Sequence, residues 1–305
     1  MGSDKTGIAI AIDLGGTQIR VGLVDRAGNI LERESTFTES KADAVTIVGQ
    51  IGALVDAVKA KAKGKAILGV GVSSPGPIDT ITGMTHFLPT LSGFGEFPLR
   101  DALSHRLNTP VKLENDGIAA AIGEWRFGAG RGLRNLVYVT VSTGIGGGVI
   151  VDNHVMRGRK GMAGHVGHMS ILQDGTRCAC GNLGCIEAYA AGPAFAARAA
   201  RVLAKPDLPV QEVFTLARQG NAAARDLVAD EARLLGIGFT SLLHLYSPDM
   251  LIMGGGLSNE FEMLYPMINA YIQENAMAGF KSVPLVKARL GGNSGLIGAA
   301  SLVFE

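Results

Sequence analysis

Aromatic residues are scarce in this chain of 305 residues, with one Trp, five Tyr and 11 Phe, or 6% in all. Charge imbalance is absent as well: 28 Lys and Arg stand against 27 Asp and Glu, a formal net charge of +1. So neutral a chain lacks the long-range field that gathers nucleic acid or an anionic membrane, and neither is expected as its main partner. No apolar run reaches the ~18 residues a membrane helix needs, and the opening Met1-Gly2-Ser3-Asp4-Lys5 lacks the apolar stretch of a signal peptide. A cytoplasmic protein is the expectation. Cysteine is limited to three, an odd number that argues against a disulfide framework. No G-x-x-x-x-G-K-[ST] occurs. No G-x-G-x-x-G is completed either, because Val149 stands where a third glycine after Gly144 and Gly146 is required. P-loop ATPases and Rossmann dehydrogenases are thereby disfavoured.

What is abundant is glycine, 43 of 305 residues, about twice the ordinary usage of roughly 7%. It is clustered between apolar strand-like runs, with neither a collagen period nor low complexity. The length sits at the upper edge of a single core, so two domains are the default. Strands are expected at 7–13, 18–25 and 29–36, a helix at 43–62, and a strand at 66–72 running into the breaker Ser74-Pro75-Gly76-Pro77. A helix at 98–107, a strand at 111–114 and a helix from Asn115-Asp116 to about Phe127 come next. The plan then restarts with a strand at 135–142, a turn at 143–148 and short strands at 148–152 and 154–156. IAIDLGGTQIRVGLVD and VTVSTGIGGGVIVD share one design of strand, glycine turn, strand and Val-Asp. Such an internal repeat suggests two similar α/β halves. The remainder reads as helices at 186–204, 208–218 and 221–246, a strand at 249–253, a helix near 260–276, a strand near 284–290 and a last helix near 295–303.

Three glycine turns each come after a strand: Asp13-Leu14-Gly15-Gly16-Thr17, Thr143-Gly144-Ile145-Gly146-Gly147, and Gly254-Gly255-Gly256. Backbone N–H groups in such turns form concave anion sites, and bare glycine lets phosphate oxygens approach. Asp13 adds a carboxylate able to hold Mg²⁺ directly or through water. Cys178, Cys180 and Cys185 lie within eight residues, with His165 and His168 just upstream. Three thiolates and one imidazole make a closed tetrahedral zinc set that fixes a loop. Spacing leaves open which histidine completes it and which faces a substrate. Asp116, where a short strand turns into a helix, fits two roles, an N-cap or a general base that takes the proton of an attacking hydroxyl. Asn115 beside it has the hydrogen-bonding groups to hold the acceptor. Glu187, two residues past Cys185, fits either a carboxylate positioned by the zinc loop or an ordinary helix N-terminal acid. His86, His105, His154 and His244 have no comparable context.

Together, IDLGGT at 12–17, LENDG at 113–117, TVSTGIGGG at 140–148, GHVGH at 164–168 and CACGNLGCIEAYAAG at 178–192 resemble the ROK family (repressors, open reading frames and sugar kinases) of the actin-like ATPase superfamily. The likeness runs from residue 7 to 303. It implies an α/β fold of two actin-like, ribonuclease H-like lobes with a cleft between them and a zinc-binding loop in the second. The first lobe would span 1–117, completed by the C-terminal helix at 292–305, and the second 118–291. By the same resemblance Asp13, Gly15, Gly16 and Thr17 are the first phosphate loop and Thr143, Gly144, Gly146 and Gly147 the second, with Gly254, Gly255 and Gly256 on the adenosine side. Asp116 matches the catalytic base, and His168, Cys178, Cys180 and Cys185 match the structural zinc ligands. Asn115, Asp116, His168 and Glu187 match sugar contacts, and Gly76, Thr90 and His165 join them as substrate-side candidates. The implied cofactors are ATP, Mg²⁺ and Zn²⁺, and the implied partners are a small sugar and a second copy of the chain, as a homodimer or higher homo-oligomer.

Two departures bear on the sugar. Glucokinase-like members usually carry Glu where this chain has His165 and Asn where it has Thr90. His165 resembles bacterial N-acetylmannosamine kinases and Thr90 the animal enzyme, whereas SSPGPID at 73–79 looks glucokinase-like. A neutral imidazole offers one donor and one acceptor where Glu only accepts, so the sugar is expected to differ from plain glucose in its hydroxyl pattern or N-acyl group. The expected activity is an ATP-dependent 6-kinase of a hexose or N-acetylhexosamine. The alternatives are a catalytically silent sugar-binding protein and a sugar-responsive regulator. Regulators of the family carry an N-terminal helix-turn-helix, and with the phosphate loop starting at Asp13 none is expected here.

Overall fold

A computed structural model describes residues 7–88 and 90–304. The chain divides into two units, one built from the residues up to Gly132, Val155–Gly164 and the stretch from Asn293 on, the other from Leu133–His154 and His165–Gly292.

The first unit holds β1 (Ile8–Leu14), β2 (Gln18–Asp25), β3 (Ile30–Phe37), α1 (Ala44–Lys59), β4 (Ile67–Ser74), β5 (Ile78–Asp79), β6 (Met84–Thr85), α2 (Leu99–Leu107), β7 (Val111–Asn115) and α3 (Asp116–Phe127), with the C-terminal helix Ser294–Val303. Its main sheet runs β3-β2-β1-β4-β7. The β3-β2-β1 ribbon is antiparallel, and β1, β4 and β7 are parallel. The IAIAIDL sequence of β1 explains why both faces are covered. Ile8, Ile10, Ile12 and Leu14 share one core with Ile47, Ile51 and Val55 of α1 and Leu99 and Leu103 of α2. Ala9 and Ala11, on the opposite face, pack with Leu296, Ala299 and Ala300 of the C-terminal helix. A period of two places the two sets on opposite faces, and the small residues let the helix backbone come close. β3 is an edge strand whose burial alternates residue by residue, and it carries Glu32, Arg33 and Glu34, charges that discourage further pairing.

The second unit contains β8 (Leu136–Val141), β9 (Ile145–Val151), β10 (His154–Val155), α4 (Glu187–Ala190), α5 (Gly192–Leu203), α6 (Val210–Arg218), α7 (Ala222–Tyr246), β11 (Met250–Gly254), α8 (Phe261–Asn275) and β12 (Leu285–Lys287). Its sheet runs β10-β9-β8-β11-β12, with β8 and β9 antiparallel and β8, β11 and β12 parallel. The order of succession matches that of the first sheet, so the repeat seen in the sequence is a repeat of topology.

Three expectations need correction. The turn expected over 143–148 is shorter: β9 starts at Ile145, and Gly146, Gly147 and Gly148 pair with Thr140, Val139 and Tyr138 as strand residues. The helix expected over 186–204 is two helices, because Ala191 is extended (φ −71°, ψ 151°) and the Gly192 N–H donates to the Ser142 carbonyl at 2.7 Å. The strand expected near 284–290 shrinks to three residues. A short hairpin, β5–β6, has no counterpart in the sequence reading.

Candidate functional site

In the first unit the functional candidates gather where the parallel strands β1, β4 and β7 end, the place where open α/β sheets hold their ligands. Register puts Asp13 of β1 beside Ser73 of β4, Ser73 beside Glu114, and Ser74 beside Asn115 of β7. The Ser73 hydroxyl donates to Asp13 Oδ1 at 3.1 Å, and Arg20, opposite Asp13 on β2, brings a guanidinium nitrogen to 3.6 Å from Oδ2. A Cβ on Gly295, in the first turn of the C-terminal helix, would stand 2.9 Å from Asp13 Oδ1. Glycine there leaves room for the carboxylate. Beyond Asp13 the Gly15 N–H donates to the Gln18 carbonyl at 3.0 Å and the Thr38 N–H to the Thr17 carbonyl at 2.9 Å, which closes the first glycine turn. A Cβ on Gly16 would lie 2.7 Å from that of Thr90, so Thr90 sits directly against this turn. Gly76 comes just after β4 and is half-buried.

At the end of β7 the capping role that the sequence offered to Asp116 falls to its neighbour. Asn115, not Asp116, is the N-cap of α3: its Oδ1 accepts from the N–H groups of Gly117 (3.0 Å) and Ile118 (3.4 Å). Asp116 is the first residue of the helix and accepts from the adjacent Gly117 N–H at 2.8 Å. Burial pushes the Asp116 carboxyl up to about 6, opposed by the Gly117 N–H and reinforced by the charge of Asp13. Asp13 is also raised by burial, against the pull of Arg20 and Ser73. A buried carboxyl held above its ordinary range beside a second carboxyl has the chemistry of a proton acceptor. The donor set at Asp13 suits Mg²⁺, which takes one or two carboxylates and keeps several waters.

In the second unit, Thr143 and Gly144 come just after β8, and Gly254 ends the neighbouring parallel strand β11, in register with Thr140. The Ser142 N–H donates to the Gly144 carbonyl at 2.9 Å. Gly255 has φ +81°, and a Cβ there would fall 2.4 Å from the Val141 carbonyl oxygen. Only glycine supplies both that conformation and that closeness. Gly256 lies beside Ser142, where a Cβ would be 3.5 Å from the hydroxyl. The second and third glycine turns are therefore neighbours at one sheet end. Gly146 and Gly147 belong to β9.

His168, Cys178, Cys180 and Cys185 converge, with one ligand atom from each within 4.8 Å of all the others. Cys180 and Cys185 Sγ are 3.7 Å apart, as are Cys178 Sγ and His168 Nδ1, close to the ~3.8 Å edge of a tetrahedron with ~2.3 Å metal–sulfur bonds. Burial pushes the Cys185 thiol up to about 12 and raises Cys178, while the Asn182 N–H draws Cys180 down. A bound divalent cation would deprotonate such thiols, and the donor set fits zinc. His165 lies outside the four, its ring 5.9 Å from that of His168. Glu187 opens α4 and reaches the second glycine turn: its Oε2 accepts from the Ile145 N–H at 2.8 Å, and its Oε1 lies 3.9 Å from His168 Nδ1.

Ser73, Arg20 and Gly295 were missed in the sequence. Ser73 directly precedes Ser74-Pro75-Gly76-Pro77, and a hydroxyl at a buried strand end is the signal that marks it.

A family model described as the ROK family matches residues 9–305. A glucokinase from Streptomyces coelicolor is 35% identical over 317 aligned residues that cover 98% of this chain and 98% of that protein. A xylose repressor from Bacillus subtilis is 30% identical over 305 residues, covering 99% of this chain and 78% of the repressor. The crystal structure of a ROK family glucokinase from Streptomyces griseus in complex with glucose and AMPPNP is 34% identical, with a TM-score of 0.84 and coverage of 97% of this chain and 99% of that one.

Proposed function

Since the chain belongs to the ROK family, we propose that it is an ATP- and Mg²⁺-dependent sugar kinase acting on the 6-hydroxyl of a hexose or N-acetylhexosamine. The observation that carries this reading is Asp116: a carboxyl at the carboxyl end of β7, pushed up to about 6 by burial and released from capping by Asn115. In that role Asp116 accepts the hydroxyl proton as the sugar oxygen bonds to the γ-phosphorus and the bond to ADP breaks. Asp13 would hold Mg²⁺, directly or through water, and the ion would supply compensation for the phosphate charge. Gly16 and Thr17, with Thr143 and Gly144, offer backbone N–H groups to phosphate oxygens, whereas the Gly15 N–H is spent on the Gln18 carbonyl and Gly146 and Gly147 lie in β9; Gly254 to Gly256 take the adenosine side. His168, Cys178, Cys180 and Cys185 would hold zinc, which would fix a loop without touching the phosphoryl chemistry. Asn115, His168 and Glu187 are assigned to the sugar by resemblance, together with Gly76, Thr90 and His165. His165 and Thr90 favour a sugar that differs from plain glucose.

The test is a coupled ADP-release assay with Mg-ATP across glucose, mannose, fructose, allose, N-acetylglucosamine and N-acetylmannosamine. A lead of tenfold or more in kcat/KM for N-acetylmannosamine, about 1.4 kcal/mol of transition-state preference, makes His165 and Thr90 the specificity switch. A lead for glucose makes them tolerated variants of a glucokinase pocket. The similarity to a xylose repressor supports a second reading, a sugar-responsive regulator. Saturable sugar binding without ADP release would favour it over the kinase.

A further inference from the structure

The stretch Val155–Gly164 belongs to the first unit, and neither Arg157 nor Lys160 in it was singled out in the sequence. It is fastened there by two ion pairs of the same design. Arg157 Nε donates to Glu114 Oε2 at 2.8 Å, and Lys160 Nζ lies 3.3 Å from Asp79 Oδ2. In both pairs the carboxylate is buried, with side-chain exposure of 2% for Glu114 and 4% for Asp79, while the cation is partly exposed. In both, the carboxylate also holds backbone N–H groups. Asp79 Oδ1 accepts from Ile81 at 3.0 Å and Thr82 at 3.1 Å, and Glu114 Oε1 accepts from Asn115 at 3.1 Å. The Thr80 N–H donates to the Lys160 carbonyl at 3.0 Å, which ties the stretch to β5 through its backbone as well.

The two pairs differ in the residues that their carboxylates support. Asp79 serves a surface turn. Glu114 is bonded to Asn115, whose side chain caps α3, and Asp116 comes next along the chain. The sequence of contacts runs from the Arg157 guanidinium to the Glu114 carboxylate, to the Asn115 backbone N–H, and through the Asn115 side chain to the N–H groups of Gly117 and Ile118 in the base's own turn. A charge-assisted bond to a buried carboxylate is stronger and more directional than a neutral one. Small displacements of a catalytic group are costly.

We propose that Arg157 is a positioning residue for phosphoryl transfer, holding Glu114 so that Asn115 caps α3 and Asp116 faces its substrate hydroxyl in a fixed geometry. The proposal rests on the kinase reading for its kinetic consequence but not for its structural one. Arg157 touches neither sugar nor nucleotide in this role. It acts through Glu114, so its loss falls mainly on kcat and leaves nucleotide binding intact.

The experiment uses the full-length protein and compares Arg157→Gln, Arg157→Lys, Glu114→Gln, the Arg157→Gln/Glu114→Gln double variant and Lys160→Met. Steady-state kinetics are paired with amide hydrogen exchange over residues 111–120. Arg157→Gln should lower kcat about tenfold or more with the KM for ATP within about twofold. Arg157→Lys should recover part of the loss. The double variant should be no slower than Glu114→Gln alone, because the two residues act as one unit. Exchange should rise at Asn115, Gly117 and Ile118 in Arg157→Gln and stay at the wild-type level in Lys160→Met. An Arg157→Gln enzyme with unchanged kcat overturns the proposal, as does a double variant whose loss is the product of the single losses. Should the wild-type chain turn over no sugar, the kinase reading fails, and the exchange data alone decide the structural step: unchanged protection at 115–118 in Arg157→Gln overturns it.

Discussion

Asn115 and Asp116 are adjacent, both polar and both at the start of a helix, yet the structure gives them different work. The cap needs a side-chain oxygen that bends back to the N–H groups of the first turn, and Asn115, extended at φ −63° and ψ 144°, has the backbone for it. Asp116 is left with a buried carboxyl at about 6. As a base it must be ionised, so kcat should climb as pH rises through about 6 and level off above it. Stability has the opposite sign. A carboxyl whose folded value is raised above its ordinary 3.8 holds its proton more tightly when folded. Its cost to folding is therefore absent below about 3.8, grows up to about 6 and persists above. Asp116→Asn should lower kcat by roughly 10²–10⁴-fold. The same substitution should raise Tm at pH 8 and leave it nearly unchanged at pH 3.5. A fall in Tm at pH 8, or near-normal turnover, would remove Asp116 from the role.

At the scale of elements, the C-terminal helix is seated by glycines on three segments. A Cβ on Gly298 would stand 1.7 Å from the Ala119 carbonyl oxygen of α3, one on Gly71 of β4 would stand 1.9 Å from that of Ala299, and one on Gly123 of α3 would stand 2.5 Å from that of Ser294. Backbone atoms cannot swing aside as side chains do. Gly298→Ala should thus cost about 1–3 kcal/mol or more, read as a lower midpoint in urea at unchanged slope. Gly49 of α1 is the contrasting case, with nothing within 4 Å of its added Cβ. There Gly49→Ala should stabilise by about 0.5–1 kcal/mol, because it lowers the entropy of the unfolded chain. Equal effects at the two positions would mean that the helix seat is not the tight contact described. The same helix brings Gly295 and Ser294 to Asp13 and Glu124, where Ser294 Oγ donates to Glu124 Oε1 at 2.9 Å. Packing and site geometry are fixed together.

At the scale of the molecule, each unit has its own five-stranded sheet, and the four-ligand cluster lies within the second. Zinc, if bound there, stabilises through ligands that converge only in the folded loop. One zinc per chain is therefore expected by elemental analysis, and Cys185→Ser should abolish it. Chelation should raise amide exchange across 165–190 while the β1 and β4 amides of the first unit keep their protection; loss of protection in β1 would contradict a local role. Much of this organisation was legible in the sequence because it is local. The Ile/Ala alternation of 8–12 assigns a strand and both its faces, strand-turn-strand repetition announces two related sheets, and the cysteine spacing gathers three thiols on one loop. Other features depend on which distant segments meet, and no local pattern encodes that. His168 rather than His165 joins the cysteines because of how the turn at 166–168 delivers its Nδ1. Gly146 to Gly148 are strand because β8 pairs with them. Ser73 meets Asp13, and Arg157 meets Glu114, across separations of 60 and 43 residues. The sequence by itself determined most of the elements, the repeat and the donor types. Tertiary structure decided the partners of each donor, since a hydrogen bond or ion pair is set by distance in space and a local pattern constrains only neighbours along the chain.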